Sequence, residues 1–199
     1  MLDVEVIADP AAAVSALDPI RSRLLSELTE PASAAALASR VGIARQKVNY
    51  HLRALEEHRL VASAGERQWG GLTERLLVAT AASYVVSPGA LGAAAVDPGR
   101  TNDRLSASYL IAVAARAVRE VGELWRAARD RNKRLATLSV DTAIRFKSPA
   151  DRAAFTQGLS DAVTSLVARY HDESTPDGRA YRVVLAAYPM PDNEEAKCH

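Results

Sequence analysis

From Arg40 to Leu55 the chain carries Arg40, Arg45, Lys47 and Arg53 and no acidic residue, in a segment whose apolar residues recur at helical spacing. On a 3.6-residue wheel, residues 43–57 divide into two faces. Ala44, Val48, Leu52 and Leu55 fall on one side, and Gln46, Asn49, Tyr50 and Arg53 on the other. Arg45 and Lys47 flank the polar side. A helix of this kind needs neighbours to bury its apolar face. Its polar face has the chemistry of base reading: Gln and Asn pair bidentately with adenine, Arg pairs with guanine, and flanking cations meet phosphates. Taken alone, the face fits a DNA-reading surface and a solvated helix surface equally well.

The elements around this helix narrow the choice. Residues 4–7 alternate and predict a short strand. Asp9-Pro10 and Asp18-Pro19 each place an N-cap residue before a proline at the first helical position. After the second, Ile20, Leu24, Leu25 and Leu28 form a helical stripe, ended at Glu30-Pro31. Ser33 caps a short Ala-rich helix that carries Leu37 and stops near Gly42. Beyond the basic helix, residues 60–64 read as a strand, 65–71 as a polar glycine-containing loop and 76–79 as a returning strand. The expected order is therefore helix, helix, turn, helix, strand, loop, strand. In the hairpin, Arg67 and Gln68 are candidates for contacting phosphates, with Arg75 next. Trp69 reads first as packing on the hairpin base and second as an exposed residue near DNA, and Gly70 and Gly71 give the tip its turn.

Residues 87–100, rich in Pro, Gly and Ala, read as a linker. A long helix follows, with Thr101 or Asp103 as its cap and Leu105, Tyr109, Val113, Ala117, Val121, Leu124 and Ala128 as its stripe. Its final turns are basic, as the helix dipole favours. Then Leu138, Val140, Thr142, Ile144 and Phe146 alternate with Ser139, Asp141, Ala143, Arg145 and Lys147, the pattern of a strand with one apolar face. Ser148-Pro149 opens a helix with Phe155, Leu159, Val163, Leu166 and Tyr170 as its expected buried stripe, and residues 181–188 read as a second strand. A strand–helix–strand unit is too small to fold alone and must pack on the long helix or on a partner chain.

The 199 residues allow one large domain or two small ones. The net charge of +1 argues against nucleic-acid binding if taken alone, but the local acid-free stretch carries more weight than the sum. Residues 1–6 lack a basic leader, no apolar run is long enough for a membrane span, and the single cysteine, Cys198, excludes an internal disulfide framework. These features predict a cytoplasmic location.

Residues 41–55, Val-Gly-Ile-Ala-Arg-Gln-Lys-Val-Asn-Tyr-His-Leu-Arg-Ala-Leu, followed by Arg59-Leu60-Val61, resemble the recognition helix of ArsR-type winged helix-turn-helix regulators. Asn49-Tyr50-His51-Leu52 stands where many members carry Ser-x-His-Leu, and Arg59 replaces the usual glycine. The resemblance covers residues 18–80. It implies double-stranded DNA binding as a homodimer, usually as a repressor released by a signal. The implied fold is α+β: a winged helix-turn-helix domain over residues 1–86, a linker over 87–100, a dimerisation and effector domain over 101–190 and a flexible tail over 191–199.

Regulators of this type often sense metals through cysteines near the recognition helix, or through histidines and acids near the dimer helices. Here neither place holds a cysteine, and His51, His58, His171 and His199 have no paired spacing, so no metal or other cofactor is expected. His51 is expected to be partly buried and His58 to sit in the turn before the hairpin. A small apolar or aromatic ligand at Tyr84, Tyr109, Trp125 and Phe146 is the alternative signal, although the same four residues read more readily as core or dimer interface. Asp141, Asp151, Asp161, His171, Asp172 and Glu173 form no nucleophile elbow or phosphate loop, and an enzyme is not expected. A winged helix that contacts proteins rather than operators is the other function to weigh.

Overall fold

Aspartate before proline starts the first two helices. In the computed structural model, α1 (Pro10–Leu17) is capped by the Asp9 carboxylate, which accepts from the Ala12 N–H at 2.9 Å. Helix α2 (Pro19–Glu27) is capped by Asp18, which accepts from the N–H groups of Ile20 and Arg21, both at 3.0 Å. The structure describes residues 1–69, 71–175 and 177–191, with Trp69 described by its backbone alone. The expectations for the Trp69 side chain, Gly70 and most of the C-terminal tail, including Cys198 and His199, lie outside the described residues. Among the described residues no helix is long and apolar enough to cross a membrane.

The chain divides into two compact units, residues 1–135 and 136–199. In the first, α3 (Ala34–Val41) is capped by Ser33 and ends at Gly42, whose φ of 71° is the left-handed conformation that terminates a helix without cost only at glycine. Helix α4 (Arg45–Glu57) follows after a short turn. Its apolar side joins a core made with Leu24, Leu28 and Leu37, where Val48 and Leu55 are fully buried. Ala44, expected on the buried side, is instead the exposed residue preceding α4, because the helix starts only at Arg45.

Two small sheets complete the unit. Strand β2 (Ala32–Ser33) pairs antiparallel with β4 (Leu72–Ala79), and β4 pairs antiparallel with β3 (Val61–Trp69). The hairpin strands are longer than the sequence suggested. Residues 65–69 continue β3 rather than forming a loop, because a bulge at Ser63/Gly65, with Gly65 at a φ of 110°, absorbs the irregularity and restores the ladder. Strand β1 (Leu2–Ile7) pairs parallel with β5 (Ala81–Val86), a strand that no alternation announced.

Residues 87–100, expected as a linker, lie within the first unit and contain two short 3-10 turns, Pro88–Ala94 and Pro98–Arg100. Helix α5 (Ala107–Asp130) is capped by Ser106 rather than by Thr101 or Asp103, so Leu105 precedes it and stands almost fully exposed. The helix buries Ala112, Val113 and Gly122, while Val121 and Leu124 of the expected stripe remain exposed. Small residues decide which face is buried, since they let the helix approach β1: Gly122 sits against Val6, and Arg129 Nη1 donates to Glu5 Oε2 at 2.6 Å.

The second unit contains α6 (Pro149–Tyr170), whose cap Ser148 accepts from the Asp151 N–H at 3.1 Å. The strands expected at residues 138–146 and 181–188 are not formed as strands. No backbone hydrogen bond joins either segment to a neighbour among the described residues, and without a ladder partner an alternating pattern has no sheet to belong to. The α6 stripe is likewise exposed apart from the half-buried Val163. Phe146 packs its ring on Phe155 with centroids 5.4 Å apart.

Candidate nucleic-acid interface

The apolar stripe of α4 fixes where its polar residues point. With Val48, Leu52 and Leu55 turned into the core, Arg45, Gln46, Lys47, Asn49, Tyr50 and Arg53 are all exposed. Five of them, Arg45, Gln46, Asn49, Tyr50 and Arg53, line one shallow concave surface. Ala44 gives α4 no side-chain cap, and the first turn carries no acid. The first turn thus combines uncapped N–H groups with Arg45 and Lys47, an arrangement that favours anions.

Not every basic residue of the stretch is available. The guanidinium of Arg40 donates to the Glu27 carbonyl at 3.4 Å and stands 3.8 Å from the Glu27 carboxylate, closing the end of α2. Arg23 does the same for α3, donating to the Val41 carbonyl at 3.1 Å. Sequence counting missed Arg23 as a helix-end partner and included Arg40 in the basic surface.

The hairpin lies next along the chain. Arg67 stands opposite Glu74 in the ladder, and its Nη2 donates to Glu74 Oε2 at 3.1 Å. That bond, with a smaller one from Ser33, holds the Glu74 carboxyl below its ordinary range. Gln68 is exposed. Arg75 forms a bidentate ion pair with Glu56 near the end of α4, which couples the hairpin to the helix and raises the Arg75 pKa. The sequence offered Arg75 as a phosphate contact, but its fork is already occupied by this carboxylate.

An exposed polar helix behind a short helix and a tight glycine turn is one half of the observation. The other is that residues 16–64 match the family model described as a helix-turn-helix domain. This region is a helix-turn-helix domain. Helices α3 and α4, with the turn at Gly42, are the two helices of the motif, and the exposed face of α4 is its outward surface. No curated protein matches the chain.

His51 of the helix-turn-helix is more deeply placed than the sequence suggested. It is 6% exposed, neither ring nitrogen has a hydrogen-bond partner among the described residues, and its ring meets the edge of Tyr50 at 5.3 Å. Desolvation lowers its pKa, with Arg21 and Lys47 acting in the same direction and Asp18 opposing. The unfolded chain therefore takes up this proton more readily than the folded one. Stability is full above the unfolded value near 6.5 and falls as pH drops through it, levelling off below the folded value. Urea midpoints measured between about pH 7.5 and 5 should fall for the native chain and change less for His51→Leu. An equal fall in both would show that another group sets the pH dependence.

The four residues considered for a ligand are not gathered at one place. Tyr84 is half-buried, and its hydroxyl donates to the Leu60 carbonyl at 2.7 Å while standing 3.2 Å from both Thr80 Oγ1 and the Ala81 N–H, a structural role at the base of the hairpin. Tyr109 and Trp125 are sixteen residues apart on α5, roughly 24 Å at the helical rise. Phe146 belongs to the second unit. His58 ends α4, with Nδ1 3.9 Å from Asp9 Oδ2.

Proposed function

We propose that this chain is a sequence-specific DNA-binding transcriptional regulator that acts as a homodimer on a pseudo-palindromic operator. The observation that carries the reading is the single exposed surface of Arg45, Gln46, Asn49, Tyr50 and Arg53 on the second helix of a helix-turn-helix domain. In this reading Gln46, Asn49, Tyr50 and Arg53 meet base edges in the major groove, and Arg45 and Lys47 meet phosphates on either side. The β3–β4 hairpin is the wing, with Gln68 and Arg67 beside the backbone. Arg67 exchanges Glu74 for phosphate, a small sacrifice because an exposed ion pair contributes little. A repressor role follows from the ArsR-type resemblance of residues 41–61. A small organic effector remains part of the reading, at a site other than one built jointly by Tyr84, Tyr109 and Trp125.

Selection of bound duplexes from a random pool tests binding, half-site symmetry and spacing together. Enrichment of a two-fold symmetric site is expected, with affinity falling steeply as salt rises. Arg45→Glu with Lys47→Glu should abolish binding to the selected duplex and leave the thermal melting of the protein unchanged. Retained binding in that variant, or a pool without enrichment, would move the helix-turn-helix to a protein-contact role.

A further inference from the structure

We infer that residues 138–147 form a β-strand by pairing antiparallel with the same segment of a second copy, in a register centred on Ala143. The proposed function needs two copies, and this inference supplies the surface that joins them. The alternation of Leu138, Val140, Thr142, Ile144 and Phe146 with polar residues is a strand pattern, yet the segment has no ladder partner among the described residues of its own chain. Leu138 and Val140 are 90% and 80% exposed.

Three arguments name a second copy as the occupant. The first is strand number. One chain supplies two strand-like segments, 138–147 and 181–188, and an isolated pair of strands is marginally stable at best in water. Two copies supply four, and α6 then serves as the crossover that covers them, as in other strand–helix–strand units. The second is area. Fourteen large apolar side chains of this unit are exposed among the described residues. At roughly 60–120 Å² each they amount to about 1,000 Å² per copy, the scale of an obligate dimer rather than a passing contact.

The third is self-complementarity, which a two-fold interface requires. Centring on Ala143 sets Asp141 opposite Arg145 of the second copy, and Arg145 opposite its Asp141. On the other face Val140 meets Phe146 and Thr142 meets Ile144 of the second copy. Centring on Thr142 leaves Asp141 facing alanine, centring on Asp141 sets two carboxylates face to face, and centring on Ile144 leaves Arg145 facing alanine and shortens the paired stretch from residues 139–147 to residues 141–147.

The test uses the full chain with Cys198→Ser as background. Ala143→Cys places two thiols across the two-fold axis, within disulfide reach in an antiparallel ladder. Mild oxidation should yield a covalent dimer in high yield, while Ser139→Cys, far from its own copy in this register, should yield little. In sedimentation equilibrium, Asp141→Arg and Arg145→Asp should each raise the dimer dissociation constant several-fold, and the double variant should restore it. A dimer that selects a duplex yet shows no preferential cross-link at position 143 overturns this inference and leaves the proposed function standing. A monomer that selects no duplex overturns both.

Discussion

Arg53→Ala will lower affinity for a selected duplex by about 1–3 kcal/mol per half-site and relax the preference at one base position in each half. With both copies of a dimer altered, the combined loss is roughly 2–6 kcal/mol. The reason is geometric. Arg53 lies one helical turn beyond Asn49 on the exposed surface of α4, so in the proposed function both would follow the groove that Gln46 and Tyr50 would enter. Asn49→Ala should behave in the same way at a neighbouring base. Lys47→Ala makes the useful contrast. It should weaken every duplex about equally and reduce the slope of log affinity against log salt by about 1 per copy, the signature of a lost phosphate contact. Titrations of a single-base-variant duplex set at several salt concentrations measure both quantities. A uniform loss for Arg53→Ala across all sequences would place this residue on phosphate and remove it from base reading.

The parts of this interface that could be read from the sequence are those set by local chemistry. Asp9, Asp18 and Ser33 cap the helices they were expected to cap, because an N-cap acts within three residues of itself. The two faces of α4 follow from its own periodicity. Tertiary pairing explains the rest. Counting charges cannot show that Arg40 closes the end of α2, or that Arg75 is bound by Glu56, since those partners lie 13 and 19 residues away. The pairing of β1 with β5 joins segments about eighty residues apart, and β5 carries no alternation to announce it. The hairpin is longer than its sequence suggests because Gly65, which resembles a loop residue, resumes the ladder opposite Leu76 after a bulge at Ala64. In the second unit the strand pattern is present without strands, which is what a segment awaiting its ladder partner would show.

The same distinction between local and tertiary causes predicts the sign of an effect at Gly122. Inside a helix, replacing glycine by alanine ordinarily stabilises by about 1 kcal/mol. Here a Cβ would stand 2.9 Å from Val6 Cγ1 and 3.1 Å from Val6 Cβ, closer than packed carbons tolerate. Val6 is the penultimate residue of β1 and is held by the parallel ladder to β5, opposite Val85, so it has little room to retreat. Overpacking of this kind costs about 1–3 kcal/mol, so Gly122→Ala should be destabilising on balance and Gly122→Leu more strongly so. Val6→Ala removes Cγ1 and Cγ2, two of the three crowding atoms, and should return part of the loss in the Gly122→Ala background. Urea unfolding of the four members of that cycle gives the coupling directly. A stabilised Gly122→Ala would mean that helix propensity governs this position and that α5 does not rest on β1 through its small residues. A destabilised one, rescued at Val6, would make the close approach of α5 to the first strand the reason for a glycine in the middle of a 24-residue helix.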